Sequence, residues 1–326
     1  MKLRVAVVYG GRSGEHEVSL RSAESIIAAL DPARYEVQRF FIGKEGRWSP
    51  HPILPEPGAN PGIDVAFPVL HGTFGEDGTV QGLFELADLP YVGAGVLGSS
   101  AAMDKEITKR LCHERGLPVV EYLVQWRGAL DADEVERNFQ YPVFVKPANL
   151  GSSVGISKAH NREELESALE SAAAYDRKVV IERAILGKEL ECAVLGNEKP
   201  RASMPCEILP SREFYDYDDK YLLGASRFLL PAPLTPETTA EVRRLAVECM
   251  LAVECAGMAR VDFLLEEPSG RVYINEINTI PGFTSISMYP KMWEHSGVSY
   301  SELVDELIRL ALERHTASRA TRYSKD

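Results

Sequence analysis

The segment Met258-Ala-Arg-Val-Asp-Phe-Leu-Leu-Glu-Glu-Pro-Ser-Gly-Arg-Val-Tyr-Ile-Asn-Glu-Ile-Asn278 decides how the rest of the chain is arranged. Two apolar runs separated by Pro-Ser-Gly predict a β-hairpin. A three-residue loop with Gly270 in the left-handed position is a common connection, and it pairs Glu267 with Arg271. Counting back from that pair sets Asp262 opposite Glu276 and Arg260 opposite Asn278. Paired residues share a face, as do alternate residues along a strand, so these four side chains gather at one end of an otherwise apolar hairpin. Two facing carboxylates repel unless a cation lies between them. All-oxygen donors suit a hard ion such as Mg²⁺, which commonly arrives with nucleotide phosphates. The same four residues equally fit a salt-bridged surface hairpin in which Arg260 neutralises the acids. The hairpin alone does not choose.

The bulk of the chain narrows the setting. At 326 residues there is room for two or three domains, and 45% apolar with 26% charged residues matches an ordinary globular protein. Thirty-six basic against 48 acidic residues give a net charge of −12, which argues against nucleic acid as a partner. Five cysteines (Cys112, Cys192, Cys206, Cys249 and Cys255) show no CxxC spacing and predict reduced, partly buried thiols. No apolar run approaches membrane-spanning length, and the N-terminus enters a strand without a signal-peptide pattern. The expectation is a cytoplasmic protein with no membrane partner.

Outward from the hairpin, the chain reads as alternating elements. Residues 3–9 form a β-branched run ending in a Gly-rich loop, residues 19–30 have helical periodicity, and 35–42 form a second strand. This order opens a doubly wound α/β domain, whose ligands collect beyond the carboxyl ends of its strands. The spacing GGxxG, with no acid closing the second strand, argues against a dinucleotide site. Glu15 in that loop is suited to an ammonium group, or simply to helix N-terminal electrostatics. A strand at 65–70 runs into His71-Gly-Thr-Phe-Gly-Glu-Asp-Gly78, a second tight polar loop at the same sheet edge, and 79–86 is helical. A basic helix begins at 103. Lys146 then ends a strand just before a Gly/Ser loop whose N–H groups and hydroxyls can wrap phosphate oxygens; a surface lysine beside a flexible turn is the plainer alternative. It is not a P-loop, because the lysine precedes the glycines. Residues 162–174 form an amphipathic helix. The strand from 178 leads to Glu182 and Glu189, spaced acids in a setting that suits an adenine cleft. Strands are expected at 189–195 and 202–208, helices at 236–256 and 301–315, and a polar, disordered tail at 316–326. The aromatic and charged stretch from Phe214 to Tyr221 has no period and predicts a loop, either a lid or plain packing.

Six motifs together resemble one family. Gly10-Gly-Arg-Ser-Gly-Glu-His-Glu-Val-Ser19, His71-Gly-Thr-Phe-Gly-Glu-Asp-Gly78, Lys146-Pro-Ala-Asn-Leu-Gly-Ser-Ser-Val-Gly155, Tyr215-Asp-Tyr-Asp-Asp-Lys-Tyr221, Arg260-Val-Asp262 and Glu276-Ile-Asn-Thr-Ile-Pro-Gly-Phe-Thr-Ser285 are similar, in order and spacing, to the D-alanine–D-alanine ligases. The resemblance runs from about residue 3 to 315. It implies the ATP-grasp fold, α/β and in part α+β: an N-terminal doubly wound α/β domain (1–102), a small central α+β domain (103–190) and a C-terminal α+β domain (191–316), with 317–326 as a tail. It also implies ATP-dependent ligation of two D-alanine molecules through an acyl phosphate, in peptidoglycan precursor synthesis. The alternative keeps the fold and takes D-lactate or another D-amino acid as second substrate.

The resemblance further implies roles by position. Asp262, Glu276 and Asn278 match ligands of Mg²⁺ or Mn²⁺, with two ions expected. Arg260 and the Gly282 N–H match an oxyanion-stabilising pair. Glu15 matches the carboxylate for the first D-alanine's ammonium, with His71 nearby, while Ser152 and Tyr221 match residues that bond toward Glu15 and close over the site. Lys105, Lys146 and Lys220 match phosphate-contacting lysines. Ser152, Ser153 and Asn275 belong to the same ATP site. Glu182, Ala184, Ile185 and Glu189 match adenine and ribose contacts. Ser287 and the Met288 backbone match the site for the second substrate's carboxylate. Tyr221 goes with the dipeptide product in the resembling family. A homodimer is a further expectation from the resemblance.

Overall fold

The computed structural model describes residues 2–210, 226–284 and 286–322. The first sheet is built from β1 (Leu3–Gly10), β2 (Tyr35–Ile42), β3 (Trp48–Ser49) and β4 (Val65–Val69), with helices α1 (His16–Ala29), α2 (Thr79–Leu86) and α3 (Val96–Met103). Its order is β3-β2-β1-β4, with β2, β1 and β4 parallel. Val5, Ala6, Val7 and Val8 are fully buried because β1 is covered on both faces. Val5 and Val7 pack with Ala23 and Ile26 of α1, whereas Ala6 and Val8 pack with Val80 and Phe84 of α2. Helix α1 starts at His16, earlier than the apolar period suggests. Its first turn is pinned when the Ser19 hydroxyl accepts from the Gly10 N–H at 2.7 Å.

The second sheet follows helix α4 (Lys105–Glu114), which is capped by Asp104 accepting from the Glu106 and Ile107 N–H groups. Strands β5 (Tyr122–Trp126), β6 (Val143–Pro147), β7 (Ser157–Ala159) and β8 (Lys178–Arg183) lie antiparallel in the order β5-β8-β6-β7. Helices α5 (Ala132–Asn138) and α6 (Arg162–Tyr175) close a core of Val135, Val145, Leu165, Leu169 and Ile181.

The third sheet contains β9 (Gly187–Gly196), β10 (Arg201–Ala202), β11 (Cys206–Leu209), β12 (Arg227–Leu229), β13 (Gly257–Glu266) and β14 (Val272–Asn278). Its path is β12-β11-β9-β13-β14, with β10 on β9, and α7 (Pro236–Ala252), α8 (Met288–His295) and α9 (Tyr300–Arg319) complete the unit. Strand β13 pairs with β9 along its whole length and with β14 on the other side. Trp293, Leu303 and Leu307 share a core with Val5, Val7 and Phe67 of the first sheet, so the two outer units are packed as one. All five cysteines are buried and free. Among the described residues no helix is long and apolar enough to cross a membrane.

Four expectations are corrected. The hairpin loop holds four residues rather than three: the Glu266 N–H donates to Arg271 O at 2.9 Å. Phe263 then pairs with Ile274, and a bulge restores Asp262 opposite Glu276. The expected strand at 202–208 is split into β10 and β11; Pro205, which cannot donate to a ladder, sits in the gap. Helix α7 ends at Ala252 rather than 256, where Glu254 turns left-handed at φ 55° and the Cys255 N–H closes on Met250 O at 3.0 Å. Helix α9 continues through four residues assigned to the polar tail. Its last turn is held by Arg319 and His315 on Asp88, at 3.5 and 3.0 Å, contacts that leave no apolar period to detect.

Candidate active site

The hairpin end carries the predicted cluster. Arg260 pairs with Asn278 and Asp262 with Glu276, as the register count requires. Arg260 Nε and Nη2 donate to the two Asp262 oxygens at 2.6 Å each, and Asn278 Nδ2 donates to Asp262 at 3.2 Å. A further acid stands behind them. Glu191 on β9 is opposite Asp262, is 3% exposed, and lies 3.2 Å from Arg260 Nε. Carboxylates on β9, β13 and β14 thus form a row across three strands, with Arg260 and Lys105 as its counter-charges. Burial works against the Arg260 charge, but Asp262 and Glu191 outweigh it and raise its pKa well above the usual value.

Two loops of the first unit meet this row. Glu15 is the N-cap residue of α1, yet its carboxylate does not cap the helix. It accepts from the Ser152 hydroxyl across the gap to the Gly/Ser loop. Ser152 and Ser153 both have left-handed backbones, φ 55° and 59°, so the loop turns tightly there. His71 is 4% exposed, and burial pushes its pKa down, leaving a neutral ring. Its Nδ1 donates to Ile280 O at 2.9 Å, and its Nε2 accepts from Ser22 Oγ at 3.2 Å. Ser22 Oγ accepts from the Phe283 N–H at 3.2 Å. His71 therefore lines the cavity but spends both ring nitrogens bracing the segment that contains Gly282. Ser287 occupies the N-cap position of α8 without a side-chain bond into the helix; its Oγ lies 2.8 Å from Thr284 Oγ1 and accepts from the Thr284 N–H at 3.0 Å. Met288 opens that helix, whose N-terminus faces the cavity and suits an anion.

A second cleft lies between the central and third sheets. Lys146, Ser153, Ile185, Glu189, Asp262, Asn275 and Glu276 line it. Lys146 Nζ donates to Glu182 at 2.7 Å and to Asn275 Oδ1 at 3.1 Å. Asn275 is the extra residue of the bulge, which turns it toward the lysine. Glu182 is 2% exposed and also pairs with Lys109 at 2.9 Å. Lys105 Nζ donates to Leu150 O at 2.7 Å and lies 3.7 Å from Glu276, linking the Gly/Ser loop to the hairpin. Ala184 sits beside this cleft, with its N–H donated to Pro142 O at 3.2 Å. Lys220 and Tyr221 lie outside the described residues.

The donors on the hairpin are carboxylate and amide oxygens, which fit a hard divalent cation. Asp262, Glu276 and Asn278 would hold it, and Arg260 would have to yield Asp262. Among the described residues no three His, Cys, Asp or Glu side chains are already disposed as a metal cage. Sequence reasoning missed Glu191, Lys109 and Glu76. Glu191 carried a signal, since it alternates with Glu189 on an apolar strand.

Two family models match the chain. Residues 111–309 match the D-ala D-ala ligase C-terminus, and residues 4–60 and 55–94 match the D-ala D-ala ligase N-terminus. The chain is 66% identical over 325 residues to a D-alanine–D-alanine ligase of Solibacter usitatus, with both chains fully covered. It is 51% identical to one of Thermoanaerobacter sp., over 96% of this chain and 98% of that one. Among solved structures, the D-alanine-D-alanine ligase from Coxiella burnetii superposes with a TM-score of 0.87 at 37% identity, covering 98% and 96% of the two chains. The VanG D-Ala:D-Ser ligase from Enterococcus faecalis superposes at 0.88 and 36%, covering 95% and 100%.

Proposed function

The chain belongs to the D-alanine–D-alanine ligase family, and from that premise we propose the site at which its residues act. The activity is ATP-dependent ligation of two D-alanine molecules to D-alanyl-D-alanine, a step of peptidoglycan precursor synthesis. The γ-phosphoryl group passes from ATP to a carboxylate oxygen of the first D-alanine, giving ADP and an acyl phosphate. The amine of the second D-alanine attacks the acyl carbon and loses a proton, and the tetrahedral intermediate expels phosphate. Phosphorylation is required because a carboxylate oxygen is otherwise a poor leaving group.

In our assignment Glu15 binds the ammonium of the first D-alanine, and Arg260 with the Gly282 N–H stabilises the oxyanion. Ser152 holds the Gly/Ser loop against Glu15 and, with Tyr221, excludes water from the acyl phosphate. Ser287 and the Met288 N–H take the second carboxylate. Lys105, Lys146 and Lys220 contact phosphates, with Ser152, Ser153 and Asn275 beside them. Glu182, Ala184, Ile185 and Glu189 receive adenine and ribose. A divalent cation is used with ATP; we assign two Mg²⁺ or Mn²⁺ ions to Asp262, Glu276 and Asn278, where they would offset phosphate charge. The observation that carries this assignment is the Ser152–Glu15 hydrogen bond. It joins the phosphate-type loop to the ammonium-type acid in the cavity that Arg260 also lines.

We also propose working units at 1–102, 103–190 and 191–316, a cytoplasmic location supported by five free cysteines, and a homodimer. Purified protein with ATP and Mg²⁺ should release phosphate with D-alanine and not with L-alanine, forming dipeptide in equal amount. Absence of D-alanine-dependent phosphate would refute the assignment. Product formed with D-lactate or D-serine as readily as with D-alanine would favour the alternative second substrate, a possibility kept open by the likeness to a D-Ala:D-Ser ligase.

A further inference from the structure

Glu76 stands in the second polar loop of the first unit, lines the candidate active-site cavity, and has no part in the assignment above. One of its carboxylate oxygens accepts from the Gly72 N–H of its own loop at 2.6 Å. The other accepts from the Ile280 N–H of the third unit at 3.1 Å, 204 residues away in sequence. Ile280 is gripped again at its carbonyl, which accepts from His71. A single residue two positions before Gly282 is thus held at both its N–H and its C=O by the 71–76 loop. Gly72 in turn lies against Glu15: a Cβ on Gly72 would come within 2.6 Å of Glu15 Oε2. One carboxylate therefore spans the backbone beneath the proposed ammonium site and the backbone leading to the proposed oxyanion donor.

We propose that Glu76 is a positioning residue for ligation, fixing the distance between the Glu15 ammonium site and the Gly282 oxyanion donor. The proposal rests on the ligase assignment. The first D-alanine must reach both ends at once, with its ammonium on Glu15 and its carboxylate near Arg260 and Gly282. A misplacement of about 1 Å between such groups can cost on the order of a hundredfold in rate. A carboxyl group suits the task, because two N–H donors need two acceptor oxygens and it keeps an acceptor lone pair on each oxygen whether ionised or protonated. Burial, and next the Glu15 charge, push the Glu76 carboxyl up to about 8, against the pull of the two amides and Arg260. Such an acid is costly to keep in a fold unless its geometry is used.

The test combines amide hydrogen exchange with steady-state kinetics on the full chain. Glu76→Gln keeps the size but presents an amide nitrogen to one of the two N–H donors. Glu76→Asp keeps the carboxyl group but is too short to span both. Each should speed exchange in segments 70–76 and 278–284 at least tenfold, leaving the central sheet unchanged. The D-alanine KM should rise at least tenfold, with the ATP KM within twofold of wild type. Unchanged exchange in both segments, or equal rises in both KM values, would overturn the proposal. Inactivity of the wild type toward D-alanine would instead overturn the ligase assignment, and the exchange comparison would still decide the clamp.

Discussion

Glu182 shows what a buried charge does when it is fully paired. Burial would raise its pKa, but Lys109 and Lys146 hold it down to about 2. A carboxyl whose folded value lies below its ordinary 4.5 adds stability above that value and loses it as pH falls toward 2. Glu182→Gln should therefore cost about 3–5 kcal/mol at neutral pH, because two lysines lose their partner. Its melting temperature should fall less steeply than wild type below pH 4.5; parallel curves would contradict this account. Glu15, Lys146, Arg260, Asp262 and Glu276 were legible as polar residues at strand ends or in Gly-rich loops. Lys109 was not, and Glu76, though it stood in a Gly-rich polar loop, gave no sign of its task, because each acts through a partner far away in sequence, Glu182 and Ile280.

At the scale of elements, the hairpin register was recovered at the site end although its loop was misjudged. The count assumed three loop residues, and the real loop has one more. The bulge at Asn275 absorbs that residue, so two departures cancel before Asp262 is reached. Apolar alternation fixes which face a strand buries, but it is silent on bulges, and here the bulge is what aims Asn275 at Lys146. The second loop makes a testable case. Gly72 has φ 74°, and its missing Cβ leaves the space that Glu15 uses. Gly72→Ala should cost about 1–2 kcal/mol of backbone strain and displace Glu15. D-alanine KM should rise severalfold with ATP KM unchanged, measured by coupled ADP release. Equal effects on both substrates would show a general loss of fold instead.

Across the whole molecule, the first sheet and the C-terminal helices share one core, built from Val5, Phe67, Trp293 and Leu307 among others. The central sheet has its own core around Val145, Leu165 and Ile181. Helix α4 packs Cys112 against the third unit's core while Lys105 at its start reaches the Gly/Ser loop. The three-sheet order was legible from alternating periodicity and six spaced motifs. The shared core was not, because periodicity shows that a face is buried without showing what covers it. In the proposed assignment the hairpin is the floor of the ATP site, and the plainer salt-bridge alternative has its counterpart in the pairing of Arg260 with Asp262 and Glu191. Turnover of Glu276→Gln with ATP, Mg²⁺ and D-alanine tests that claim most directly. The account predicts a loss of at least a hundredfold with the melting temperature close to wild type; near-wild-type turnover would contradict it.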